Sequence, residues 1–84
     1  MRFTVSWLRS AEMELARLWL DAEDRATLAT AANEIDRLLR SCPSDVGESR
    51  EKDRRILLLS PLGVKYSVSA DDRLVRVLHV WKYS

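Results

Sequence analysis

The chain has 84 residues, 46% of them hydrophobic, with three tryptophans and 14 Lys/Arg against 13 Asp/Glu. That length holds one domain with one core and a modest stability margin, and the apolar content excludes a wholly disordered chain. A single cysteine excludes a disulfide framework and a cysteine metal cluster, and no apolar run approaches the roughly 18 residues of a membrane span.

The net charge of +1 conceals a division: residues 1–49 carry six Lys/Arg against nine Asp/Glu, and residues 50–84 carry eight against four. A basic second half points to a polyanionic partner. The N-terminus lacks the long apolar core of a secretory signal, so a cytoplasmic location is expected.

The first element is a strand over Arg2–Trp7, with Phe3, Val5 and Trp7 on one face and Arg2, Thr4 and Ser6 on the other. Ser10 is placed to cap a helix, with Glu12 in its first turn. Ala11, Leu15, Leu18, Trp19 and Ala22 make its apolar stripe. Asp24 is placed to cap a second helix carrying Leu28, Ala31, Ala32, Ile35, Leu38, Leu39 and Cys42 on one side. Glu34 with Arg37 and Asp36 with Arg40 are spaced for surface pairs, and Pro43 stops the helix. The alanines at 26, 29, 31 and 32 let the two helices approach closely. Cys42 is expected to pack as a small hydrophobe.

Ser44–Arg50 reads as a polar loop hinged at Gly47. Arg54–Ser60 reads as a strand whose Ile56–Leu59 run is continuously apolar, as in strands covered on both faces or covered on one of them by a partner. Pro61-Leu62-Gly63 is a turn signal, and Gly63–Ala70 alternates Val64, Tyr66 and Val68 with Lys65, Ser67 and Ser69. Asp71-Asp72 suits a two-residue hairpin loop leading into a last strand from Arg73 to about Tyr83. A tight hairpin pairs Val68 with Val75, Ser67 with Arg76, Tyr66 with Val77, Lys65 with Leu78 and Val64 with His79. That register sets His79 with Val77 and Trp81 on the helix side, as a half-buried structural residue. It sets Lys65, Ser67, Ser69, Arg76 and Lys82 on the other face, beside Leu74, Leu78 and Val80. Whether Arg54 or Arg55 joins that basic face depends on the turn at Pro61, which leaves the parity open.

The expected architecture is a single α+β domain over residues 1–84, in β-α-α-β-β-β order. Its helical hairpin, Ser10–Cys42, covers one face of a small antiparallel sheet. Trp7, Leu15, Trp19, Ile35, Leu38, Tyr66, Val68 and Val77 should be largely buried. The sequence contains no Gly-rich phosphate loop, no Ser-His-Asp arrangement and no plausible metal-ligand cluster, so no cofactor or metal is expected.

Val5-Ser6-Trp7, the Ala11-Glu12…Leu15-Ala16…Leu18-Trp19 helix, Gly63-Val64-Lys65 and Asp72-Arg73-Leu74-Val75-Arg76-Val77-Leu78 together resemble the RelE/ParE family of toxins. The resemblance spans nearly the whole chain and agrees with the element order. It implies a toxin neutralised by a cognate antitoxin that wraps it. In the RelE branch, such toxins cleave mRNA in the ribosomal A site, with cations promoting attack of the 2′-OH on the adjacent phosphate. In the ParE branch they poison DNA gyrase.

By that resemblance Lys65, Arg76 and Tyr83 are the catalytic candidates. Arg50, Arg54, Arg55 and Lys82 are the candidate RNA contacts. Lys65 stands where the nucleases have an arginine, and Val64 where they have a tyrosine. Ile56 and Leu58 occupy positions that are lysines in RelE. Three readings follow: an mRNA endonuclease first, a gyrase inhibitor second, and a non-catalytic binding member third. In each the exposed aliphatics and the basic half meet an acidic antitoxin segment, and without it the chain is expected to self-associate.

Overall fold

The computed structural model describes residues 2–83; Met1 and Ser84, the two ends of the expected domain, lie outside them. The elements are β1 (Thr4–Trp7), α1 (Arg9–Asp21), α2 (Arg25–Ser41), β2 (Glu48–Ser49), β3 (Arg54–Leu59), β4 (Leu62–Ser69) and β5 (Leu74–Lys82). The sheet runs β1-β5-β4-β3-β2. The last three strands form the expected antiparallel meander, and β1 adds to it in parallel beside β5, Val5 opposite Val75 and Trp7 opposite Val77. The sheet is therefore mixed. A parallel neighbour needs a long connection, and everything from α1 to β4 lies between these two strands. The two-residue β2 inside the predicted loop is an addition, pairing Glu48 with Ile56 and Ser49 with Arg55.

The helices begin differently. Asp24 caps α2 as expected: its carboxylate accepts from the Thr27 backbone N–H at 3.0 Å and from the Thr27 hydroxyl at 2.6 Å. These bonds hold the Asp24 carboxyl below the usual carboxylate range, the hydroxyl contact contributing most. A depressed native value means that the cap stabilises the fold above the unfolded-state pKa and loses that effect as pH falls through the lower native one. Asp24→Ala should therefore lower the melting temperature at neutral pH, and the difference from wild type should fade below about pH 4. Melting curves at both pH values check this.

Ser10 does not cap α1. The chain leaves the sheet at Leu8, whose N–H donates to Val77 O at 3.0 Å, and Glu12 N–H already donates to Leu8 O at 2.9 Å. The helix starts at once, with Leu8 as an N-cap lacking a side-chain bond and Ser10 inside the first turn.

The core lies between the hairpin and one sheet face. Ala11, Leu28, Ala31, Ile35 and Leu39 from the helices meet Leu57, Leu62, Val64, Tyr66, Val75, Val77 and Val80 from the sheet. Trp7, Leu15, Leu38 and Val68 are half-buried at its border. Trp19 is a correction, since 41% of it is exposed. Leu15, Leu18 and Ala22 hold the sheet-facing stripe, and one residue beyond Leu18 turns the chain by about 100°. Trp19 therefore falls at the edge, under the Arg25 guanidinium, which lies 5.9 Å from its ring centre. The surface pairs Glu34–Arg37 and Asp36–Arg40 both form.

A polar lock ties the loop after α2 to the sheet. The Tyr66 hydroxyl lies 2.8 Å from Pro43 O and 2.9 Å from Val46 O. The Arg55 guanidinium donates to Val46 O at 3.0 Å and to Gly47 O at 3.1 Å. Burial pushes the Tyr66 phenol up, and the neighbouring Arg55 opposes it. Gly47, at φ +72°, sits where a Cβ would lie 2.6 Å from Ile56 O. Only glycine fits there without strain.

Candidate functional site

The helices cover one face of the sheet and leave the other open. Strand pairing decides which side chains share the open face, because a one-residue slip moves a side chain to the opposite side. Arg54 pairs with Ser67, and Ser67 with Arg76, which itself lies beside Ser6 of β1. The next row is Ile56, Lys65 and His79, and the one beyond it Leu58, Gly63 and Trp81. Arg54 and Arg76 therefore flank Ser67 at two strand spacings, about 10 Å between backbones, with Lys65 one row on.

The second of these rows is not the one expected from a tight hairpin. The pairing follows that register from Ser69–Leu74 to Tyr66–Val77 and then shifts: Lys65 faces His79, not Leu78. Leu78 is the extra residue of a β-bulge, and bulges re-aim the side chains that follow them. His79 thus leaves the helix side for the open face, where 60% of its side chain is exposed. Trp81 moves with it and lies over Gly63, whose missing Cβ would fall 2.6 Å from the indole. Val80 moves the other way, into the core. The signal was present in the sequence: the inward valines 75, 77 and 80 are spaced by two and then by three, so strict alternation fails between Val77 and Val80.

The remaining candidates divide. Arg54 joins the basic face, which resolves the parity left open at Pro61: the turn is the two residues Ser60-Pro61, closed by the pair Leu59–Leu62. Arg55 points to the helix side, where it holds loop carbonyls. Lys82 pairs with Leu62 and lines a hollow with Leu18, Glu23, Asp24 and Leu28, away from Lys65 and Arg76. Tyr83 is exposed at the far end of the sheet, its N–H donating to Pro61 O at 3.0 Å. Four residues of strand separate it from His79, about 13 Å. The structure brings together Arg54, Lys65, Arg76 and His79, and it does not bring Arg55, Lys82 or Tyr83 to them.

Carboxylates stand at the rim. Glu51, in the loop between β2 and β3, places one oxygen 3.6 Å from Arg54 Nη1 and 4.0 Å from Lys65 Nζ. Arg50 is drawn to Glu48 at 3.4 Å. Arg76 is exposed and has no ion pair among the described residues. Glu51 thus sits between two cations and takes up charge that an anionic ligand would otherwise meet. Glu51→Gln is expected to tighten binding of a single-stranded RNA oligonucleotide about threefold at low salt, the scale of an exposed ion pair. The gain should shrink as salt rises, and titrations by fluorescence anisotropy at two salt concentrations measure it.

The open face also carries apolar surface. Leu58 is 52% exposed, so the continuous Ile56–Leu59 run is covered on one face only at that position. Among the described residues no group of three potential metal ligands occurs, and no helix is long and apolar enough to cross a membrane.

No protein-family model matches this chain, and no curated protein matches it either. Solved structures do. The RelBE2 toxin–antitoxin complex of Mycobacterium tuberculosis superposes with a TM-score of 0.80 at 20% identity, over 98% of this chain and 99% of that one. The chromosomal ParDE toxin–antitoxin system of P. aeruginosa gives 0.73 at 15% identity, over 99% and 98%. The archaeal RelE–RelB complex of Pyrococcus horikoshii gives 0.72 at 19% identity, over 98% and 96%. The fold is that of the RelE/ParE toxins.

Proposed function

We propose that this chain, built on the RelE/ParE toxin fold, is the toxin of a toxin–antitoxin pair and acts as an mRNA endonuclease on the ribosome. The observation that carries the reading is the single open face on which Arg54, Lys65, Arg76 and His79 meet. Cleavage of RNA by its own 2′-OH requires positioning, removal of one proton and stabilisation of negative charge on phosphate. Arg54 and Arg76 hold phosphates on either side of Ser67, and Lys65 sits beside the scissile one as a point charge. His79, exposed on that face beside Lys65, takes the 2′-OH proton on a ring nitrogen. The oxygen attacks phosphorus, the bond to the 5′ oxygen breaks, and that oxygen leaves with a proton from solvent. The products are a 2′,3′-cyclic phosphate and a 5′-hydroxyl. Tyr83 and Trp81, farther along the face, offer rings for a base to stack on; a phenol is a poor base at neutral pH.

The partner in this reading is an acidic antitoxin segment, matched to the cations and to the exposed Leu58. The RelBE2 structure is that of a toxin–antitoxin complex, and the RelE–RelB structure is likewise a complex. A second reading, inhibition of DNA gyrase, is favoured by the apolar row of Leu58 and Trp81, which suits a protein surface better than a phosphate backbone.

Translation in a cell-free extract, with mapping of mRNA ends, tests both readings. Cuts inside translated codons, made equally by untreated protein and by protein stripped with EDTA and then freed of it, support the nuclease. Intact mRNA with inhibited supercoiling by gyrase moves the assignment to the second reading. Copurification with the product of the adjacent gene tests the antitoxin.

A further inference from the structure

β1 ends at Trp7, opposite Val77, so the rest of β5 has no strand on that side. α1 begins there and runs past the open edge. Glu14 reaches that edge from its second turn, and one of its oxygens, Oε1, serves two groups: it accepts from Val80 N–H at 3.4 Å and lies 3.8 Å from His79 Nδ1. The strand N–H fixes the carboxylate, and the carboxylate faces one nitrogen of the ring. Around His79 the charged groups are Glu14 from α1 and Lys65 across the strand pair, the latter also facing Glu51.

We infer that Glu14 is a positioning residue that holds the neutral His79 ring with its proton on Nδ1, leaving Nε2 bare as the proton acceptor. This deepens the nuclease reading and rests on it for its purpose, though not for its geometry. A free imidazole in water prefers the proton on Nε2, which would block the nitrogen that points away from Glu14. A carboxylate on Nδ1 reverses the preference, the device by which carboxylates orient histidines in many sites. The separation of 3.8 Å is a few tenths of an ångström beyond a hydrogen bond, and such contacts commonly tighten when substrate binds. The β-bulge is what makes the arrangement possible: without the extra Leu78, position 79 would face the helix side, as the tight-hairpin register has it.

His79 is the only histidine, so the test is free of assignment ambiguity. Ring nitrogen shifts from ¹⁵N-labelled protein above the titration range report which nitrogen carries the proton. The wild type should show Nδ1–H, and Glu14→Ala should show Nε2–H. Glu14→Gln, which keeps an acceptor oxygen, should retain Nδ1–H. In the cleavage assay Glu14→Ala should lose about tenfold in kcat with KM unchanged, and Glu14→Gln should recover most of it. A wild-type ring protonated on Nε2 overturns the inference, even if Glu14→Ala does not fold. A tautomer that depends on Glu14 together with unchanged cleavage supports the positioning and removes His79 from the role of base; the same tautomer with no cleavage by the wild type overturns the nuclease reading instead.

Discussion

Lys65→Ala and Arg76→Ala should each lower the rate of mRNA cleavage by about a hundredfold, the scale for losing one preorganised charge that faces a developing oxyanion. The wild type and both variants should melt at similar temperatures, because Arg76 is exposed and Lys65 reaches only Glu51, at 4.0 Å. Two further substitutions act as controls drawn from the register. Lys82→Ala, on the other side of the sheet, should leave cleavage within about twofold of wild type, as surface changes away from a site do. Arg55→Ala should act on stability rather than on chemistry, since it removes the guanidinium from Gly47 O and leaves Val46 O to the Tyr66 hydroxyl. Single-turnover cleavage on stalled ribosomes, run beside thermal melts, separates the two kinds of effect. Equal losses at Lys65, Arg76 and Lys82 would mean that cleavage depends on net charge and not on a site.

Ile35→Ala should come close to unfolding the protein. Ile35 is wholly buried at the centre of the α2 face, between the hairpin and the sheet. Truncating a buried Ile to Ala costs about 2–5 kcal/mol, through lost transfer energy and the cavity left behind. The stability expected of a domain this small is about 5 kcal/mol, so the substitution takes up much of the margin. Leu20→Ala is the contrast: that side chain is 70% exposed, and its loss should change stability by less than about 0.5 kcal/mol. Urea denaturation of the three proteins measures both effects. If Ile35→Ala unfolds at the wild-type midpoint, the hairpin does not pack as described.

Comparison of expected and observed elements shows where local information ends. The Asp24 cap was legible because it depends on two residues three positions apart and one hydrogen-bonding geometry. The start of α1 was not, because the helix begins where Leu8 is pinned to Val77, a residue 69 positions away. The place of Trp19 in an apolar stripe points to the core. The stripe is wider than the contact it makes, and the large ring fell at the border beside Arg25. Arg54 and Arg55 are adjacent and chemically identical, yet one joins the open face and the other holds a loop.

Element order, the hairpin of helices, the antiparallel meander and the basic excess of the second half follow from periodicity, capping residues and charge. Each of these is a property of neighbours in the chain, which the chain carries into any fold. The composition of the open face follows from something else. Strands alternate with period two, so one extra residue at Leu78 and a two-residue turn at Ser60-Pro61 decide which face every later side chain takes. Those choices are made by pairing between strands. The placing of His79 beside Lys65, with Glu14 at its back, depends on contacts from three separate elements and exists only once they have packed.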